Sequence, residues 1–361
     1  MDKFNAKHLG FVLVGVSVVS LKTYPTIMTR NGGRDTWIAM LASGLITLIY
    51  LFFALQVFRK SDFASLSGIY RTAIGKVFGH FFIFFFGLTL FLTLVECAST
   101  ESNSLHTNML LDTPSWQIML FFIPPALYSI KRGIAAIMTV TIISMVAVTI
   151  SGINLAILTY PYKHIDYIKP ILENGLTPGL FYSFLQQLGL FGCFAILYPF
   201  FSYLGDKKKT TKYIMIAMIF VVQMEIIALS GVIMTFDINF LNTMSYPKLL
   251  QTQLVSKFPF LEAGELFVML QMVGGWLAKY ILCFFALIRL IEVHIKIKYL
   301  EYWISGLCFA VSYFVSDNLF MLFKYLDFYT YLTLVNFVII PSVMFMIYAI
   351  KGYPAVKAPQ S

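Results

Sequence analysis

Residues 8–28 read HLGFVLVGVSVVSLKTYPTIM. The run has about the 20 mainly apolar residues that a transmembrane helix needs. Its middle nevertheless carries Gly15, Ser17, Ser20 and Lys22, and Tyr24-Pro25 follows. No small-residue cleavage pattern closes it and further apolar runs come after, so it is expected to be a retained span and not a signal peptide. Working outward, runs of the same kind recur at about 36–58, 79–103, 115–129, 134–159, 179–204, 213–235, 263–290, 300–316 and 328–350. With the first run they make ten, the fourth and ninth being short. The breaks carry turn chemistry, as at Asn31-Gly32-Gly33, Lys131-Arg132-Gly133 and Thr177-Pro178-Gly179.

Composition agrees. The chain is 59% hydrophobic and 12% charged, with a mean hydropathy of +0.81. Soluble domains carry about 25% charged residues, and this chain has too few to clothe a water-facing surface. The 36 Phe and 21 Tyr suit a bundle interior and the two membrane interfaces. The fold class expected is an all-α membrane protein of about ten helices, forming a single integral membrane domain over residues 1–361.

The net charge of +9 is a topological signal and no nucleic-acid partner is expected. With the N-terminus inside, seventeen Lys and Arg fall in inner segments and seven in outer ones, which places both termini on the cytoplasmic side. Two outer loops are long, Tyr160–Gly179 and Phe236–Glu262. Within the second, Tyr246–Phe258 has helical spacing and reads either as a short helix lying on the outer surface or as an ordered loop without membrane contact. The run Gly205–Lys212 reads as a cytoplasmic anchor for span seven.

Ten spans divide into five and five, and an odd number per half inverts the second half in the membrane. The expected repeats are 8–159 and 179–350. The leading span of each half holds glycine at mid-depth: Gly15, Ser17 and Ser20 in span one, Gly189 and Gly192 in span six. Such helices are either interrupted, so that freed backbone groups and helix ends form a binding site, or unbroken, with the small residues serving packing. Spacing alone leaves both readings open.

A set of short motifs adds to this. Tyr24-Pro25 with Gly33-Arg34-Asp35-Thr36-Trp37, Gly75-Lys76-Val77-Phe78-Gly79, Asp112-Thr113-Pro114-Ser115-Trp116, Lys131-Arg132-Gly133-Ile134, Pro170-Ile171-Leu172-Glu173-Asn174-Gly175, Tyr246-Pro247, and Phe260-Leu261-Glu262 with Glu265 and Lys279 occur in that order. The pattern resembles the B subunits of spore germinant receptors, the GerAB family. The resemblance implies the amino acid–polyamine–organocation transporter fold (LeuT-like), with ten helices in a 5+5 inverted repeat. It also implies nutrient sensing, of an amino acid for instance, in the inner membrane of a bacterial spore beside A and C subunits. A proton-coupled amino-acid transporter of the same fold is the alternative. Leu190 stands where many relatives carry an acidic residue, and Lys22 and Glu225 also depart from the pattern.

Charges inside spans are costly and raise a functional question by default. Glu96 shares a helical face with Thr100 and Asn103, a stripe expected to face the bundle. Glu101 and Glu265 are expected near the outer interface, solvated. Lys22 suits a ligand contact, an ion pair or snorkelling. Glu225 is either a hydrogen-bonded buried acid or a proton relay. Lys279 is deep in span eight. Glu265 is too far along the helix to pair with it, roughly 21 Å at 1.5 Å per residue, and a backbone carbonyl of an interrupted span one is the expected partner. In sodium-coupled proteins of the fold implied, spans one and eight meet at a cation site, and an ammonium there would replace the ion. The candidate ligand-binding residues are thus Gly15, Ser17, Ser20, Gly189 and Gly192, with Lys279, Glu96, Glu225 and Lys22 as coupling or structural charges. No catalytic constellation, cofactor motif or metal-ligand spacing stands out: HExxH, P-loop and GxSxG patterns are absent.

Overall fold

The structure is a computed structural model. It describes residues 4–205, 207–255, 263–295 and 297–356, the side chains of 263–265 excepted. In lipid every backbone N–H and C=O must be satisfied within its own segment, and the described apolar runs accordingly form helices. In chain order these are α1 (Ala6–Ser17), α2 (Val19–Thr23), α3 (Thr26–Gly32), α4 (Thr36–Lys60), α5 (Leu66–Ile74), α6 (Lys76–Asn108), α7 (Ser115–Lys131), α8 (Ile134–Leu158), α9 (Pro178–Phe191), α10 (Thr210–Thr235), α11 (Ile238–Leu241), α12 (Pro247–Gln253), α13 (Ala263–Glu292), α14 (Leu300–Ser316), α15 (Leu319–Thr333) and α16 (Ile340–Ile350).

Among the described residues eight helical segments are long and apolar enough to cross a membrane. Two more, α7 and α14, have 17 residues each, and these are the fourth and ninth apolar runs. Entry into α1 is fixed by a capping box: the Asn5 side chain accepts from the backbone N–H groups of Lys7 (3.0 Å) and His8 (3.3 Å), and His8 Nδ1 accepts from the Asn5 N–H (3.1 Å). Gly75 and Gly133 hold φ of 90° and 84° at the α5–α6 and α7–α8 corners, where a side chain would be strained.

Burial divides the spans into inner and outer. The most apolar stretches of span one, span six and span eight are each 78% buried, whereas α8 is 33% buried. α13 packs on α8, α6 and α1, while α1 also packs on α10. Outward faces are shed to lipid, with Phe121 82% exposed and Ile350 85% exposed.

Both inner leading spans are irregular at mid-depth. Span one breaks at Val18, between α1 and α2, and bends again at Tyr24-Pro25 into α3. Span six runs as α9 to Phe191 and continues as a 3-10 segment, Gly192–Tyr203. Span ten is irregular opposite it: a π-helical turn, Leu334–Ile339, joins α15 to α16.

The outer connections differ in part from expectation. The Tyr160–Gly179 loop holds two short 3-10 turns, Tyr160–Tyr162 and Ile165–Ile168. The helix expected over Tyr246–Phe258 is the shorter α12, and it does not lie on the surface. Leu249, Gln251 and Thr252 are buried, and Gln251 Nε2 donates to the Gly231 carbonyl (3.0 Å) and Thr235 Oγ1 (2.6 Å). Polar bonds to the end of α10 thus pull the loop into the bundle. Residues 256–262 of that loop lie outside the described residues.

Candidate functional site

The break in span one places Ser20 and Tyr24, one helical turn apart, against α6 and α13. There Lys279 Nζ donates to Glu96 Oε2 at 2.7 Å and also to Ser20 Oγ. Ser20 Oγ and Tyr24 Oη each donate to Glu96 Oε1 at 2.7 Å. The side chains of Lys279 and Glu96 are both 0% exposed. Each charge therefore faces an opposite charge and neutral donors or acceptors, the condition under which a buried pair is tolerated. The rings of Trp276 and Tyr329 flank the ammonium at 5.5 Å and 5.7 Å. Trp276 stacks on Tyr24 with centroids 6.5 Å apart. Tyr329 Oη lies 2.9 Å from Thr93 Oγ1 and 3.5 Å from Cys193 Sγ. The node thus joins spans one, three, six, eight and ten.

Lys279 contacts span one as expected, but through the Ser20 hydroxyl and not a backbone carbonyl, and its main partner is Glu96 of α6. The reason is charge: with the nearest helix turn occupied by Gly275 and Trp276, a carboxylate offers an ammonium more than a carbonyl does. Gly275 admits the close approach of span one, since a Cβ there would stand 3.0 Å from Val19 Cγ2. The polar stripe on α6 faces inward throughout. Asn103 donates to the Ser316 carbonyl (3.0 Å) and accepts from Tyr246 Oη (2.8 Å).

The expectation for Glu101 is overturned. It is 1% exposed, and neither carboxylate oxygen has a hydrogen-bond partner among the described residues. The outer loop, through Tyr246, covers the end of α6 and shuts water out. Glu265's side chain lies outside the described residues.

Of the remaining candidates, Ser17 is beside the break with its buried Oγ unpartnered. Gly15 packs under span eight: a Cβ there would stand 2.8 Å from Leu282 Cδ1. A Cβ on Gly189 would collide with the carbonyl of Thr330, and one on Gly192 would stand 2.5 Å from Val338 Cγ2. These two glycines therefore set the distance between span six and the irregular part of span ten. The residues are brought together only in part: Ser17 and Ser20 adjoin the node, while the glycines govern how closely neighbouring spans approach it.

Lys22 and Glu225 form a second, looser cluster. Lys22 Nζ is 3.9 Å from Glu225 Oε1, and their side chains are 11% and 1% exposed. At that distance Glu225 Oε1 has no hydrogen bond among the described residues. Lys207, in the run read as an anchor, pairs with Asp62 at 2.7 Å.

Sequence reading missed Tyr24 and Trp276 as parts of the node. Tyr24 was legible as the residue one turn after Ser20 on the same helical face. Trp276 carried no such signal, because its role comes from meeting Tyr24 across the bundle.

Comparison with known proteins follows this geometry. A family model described as spore germination protein matches residues 9–319. Spore germination protein B2 of Bacillus subtilis (strain 168) is 23% identical over 313 residues, 84% of this chain and 82% of the relative. Spore germination protein KB of the same organism is 24% identical over 257 residues, 70% and 69% of the two chains. Among solved structures, the crystal structure of MhsT in complex with L-phenylalanine superposes with a TM-score of 0.69 at 16% identity, covering 98% of this chain and 91% of that one. That likeness shows a LeuT-like transporter fold. Apolar helices long enough to cross a membrane and a family match over nearly the whole length make this an integral membrane protein, and the chain belongs to the spore germination protein family.

Proposed function

We propose that this chain is the nutrient-sensing subunit of a spore germinant receptor, non-enzymatic, acting in the inner spore membrane beside A and C subunits, with both termini on the core side. The nutrient is an amino acid, bound where spans one and six are interrupted, near Gly15, Ser17, Ser20, Gly189 and Gly192. The observation that carries this reading is the Lys279–Glu96–Ser20 node at the break of span one. A transporter of this fold draws on an exchangeable cation to move its broken helices; here a fixed ammonium ties span eight to span one. A chain with its cation built in is suited to report a ligand by a change of conformation and has little use for a coupling ion.

Polar atoms for a ligand are at hand. Ser17 Oγ, Gln187 Oε1 and Trp276 Nε1, from spans one, six and eight, are buried without hydrogen-bond partners among the described residues. Such atoms cost free energy until something satisfies them. A sensor needs only that the nutrient prefer one conformation; moving a population from 1:99 to 99:1 takes about 5.5 kcal/mol of differential affinity.

The second reading is a proton-coupled amino-acid transporter. The buried, poorly partnered carboxylates of Glu101 and Glu225 favour it, since a carboxyl with few partners can take up or release a proton when a conformational change opens it to water. Purified chain in liposomes, given labelled amino acids and an imposed proton gradient, separates the two. Binding without uphill accumulation is expected. Accumulation without A and C subunits overturns the sensor reading.

A further inference from the structure

A cleft between α8 and α10 opens sideways toward the bilayer at the end of the bundle opposite the termini. It encloses about 150 Å³. Three lysines from three elements converge on it: Lys22 of α2, Lys163 of the loop after α8, and Lys248 of α12. Among the described residues Glu225 is the acidic residue facing this group, 3.9 Å from Lys22, so among them positive charge is in excess. Among the described residues Lys248 donates to Gln251 Oε1 at 2.7 Å, and Lys163 to the Ala156 carbonyl at 3.4 Å. Each ammonium has three donors, so most remain to be used.

The walls of the cleft have a different character. Ile153 of α8 and Ile227 of α10 line it and are 58% and 49% exposed. Toward the other end of the bundle, sharing Thr149 and Phe220, an apolar groove of about 540 Å³ continues between the same two helices, floored by Gly10, Phe11 and Val14 of α1. The α10 stretch lining the two, from Tyr213 to Gly231, covers roughly 27 Å at ~1.5 Å per residue. One leaflet's hydrocarbon is roughly 15 Å deep. Cationic head and apolar trough thus lie in series along α10, over a length that accommodates one phospholipid with room to spare.

We infer that this cleft is a binding site for an anionic glycerophospholipid, its phosphate held by Lys22, Lys163 and Lys248 and one acyl chain lying in the groove against α1. The charge excess selects an anion over a zwitterion, and the continuous lipid-facing walls select a lipid over a free phosphate. Burial and the two neighbouring ammonium groups hold Lys248 well below the usual lysine range, at about 7, and a bound phosphate would relieve that repulsion. Because α1 is the helix that breaks at Val18, a lipid seated here bears directly on the mobility of span one.

Native mass spectrometry of the purified protein in detergent tests this, with dioleoyl phosphatidylglycerol, dioleoyl phosphatidylcholine and glycerol phosphate as probes. Retention of phosphatidylglycerol at least tenfold above phosphatidylcholine is expected, together with negligible retention of glycerol phosphate. Lys163→Gln/Lys248→Gln should reduce the preference to within about threefold, while Lys324→Gln, exposed on α15, leaves it intact. Val146→Trp, which blocks the groove and spares the lysines, should weaken binding of the long-chain lipid. Equal retention of the two lipids by the wild-type protein, a comparison that needs no variant, overturns the site. Glycerol phosphate held as firmly as the lipid overturns the lipid assignment in favour of a soluble anion.

Discussion

The two buried charge clusters on span one meet it at Ser20 and Lys22, two residues apart in α2, and are built on opposite terms. Lys279 and Glu96 are sealed at 0% exposure, with the charge balanced and both carboxylate oxygens hydrogen-bonded. Lys22 and Glu225 meet at 3.9 Å without a hydrogen bond on Glu225 Oε1, and two further lysines unbalance them. Complete satisfaction makes a rigid joint, because removing either charge leaves the other desolvated and unpaired. Incomplete satisfaction with an open side makes a place where something else binds. The difference teaches that charge within a span has no single meaning; the number of partners and the access to it decide.

Breaking the sealed cluster should have the largest effect. Lys279→Ala leaves Glu96 buried and uncompensated, at a cost of about 3–5 kcal/mol, seen as loss of folded protein in size-exclusion chromatography and a lower unfolding temperature in detergent. Lys279→Met combined with Glu96→Gln should recover much of it, since replacing both partners avoids the lone charge. If Lys279→Ala unfolds at the wild-type temperature, the node is not a joint.

Ser20→Ala removes the hydroxyl shared by both charges and should cost about 1.5–3 kcal/mol, the range for hydrogen bonds to charged groups. The pair itself persists, so the effect must fall below that of Lys279→Ala in the same melting assay. An equal loss would show that span one, and not the ion pair, carries the joint.

The close packing around the node sharpens the contrast. Gly189→Ala drives a methyl group against the backbone carbonyl of Thr330, which cannot turn aside, whereas Gly15→Ala meets the flexible end of Leu282. The first should cost about 1–3 kcal/mol and the second less. In spores, the response to nutrient should shift more for Gly189→Ala than for Gly15→Ala at matched protein level. The reverse order would count against span six packing as the sensitive contact.

The smallest effect belongs to the open cluster. Lys22→Gln should change stability by about 1 kcal/mol, because the ion pair is long and Glu225 Oε1 has no hydrogen bond among the described residues to lose. A loss as large as that of Lys279→Ala would abolish the distinction between the clusters.

Much was legible beforehand. The apolar runs located the spans, because lipid leaves a chain no other way to satisfy its backbone over such lengths. Glycines at mid-depth left interrupted and unbroken helices equally open for spans one and six, and the structure shows each deviating from a regular α-helix there. The inward stripe of Glu96, Thr100 and Asn103 was legible because it follows from helical period alone.

What stayed hidden was pairing across the bundle. Glu96 and Lys279 are separated by 183 positions, and nothing local to either names the other. Glu101 read as a solvated residue because its sequence position lies near a helix end, and only the fold of the outer loop over it shows that it is dry. Lys163 and Lys248 read as loop charges, as they are by sequence, until α12 turns inward and joins them to Lys22. Local chemistry and periodicity are properties of a segment, so the sequence by itself determined helices, spans and faces. Partners, dryness and charge balance are properties of the space between segments, and only the tertiary structure decided them.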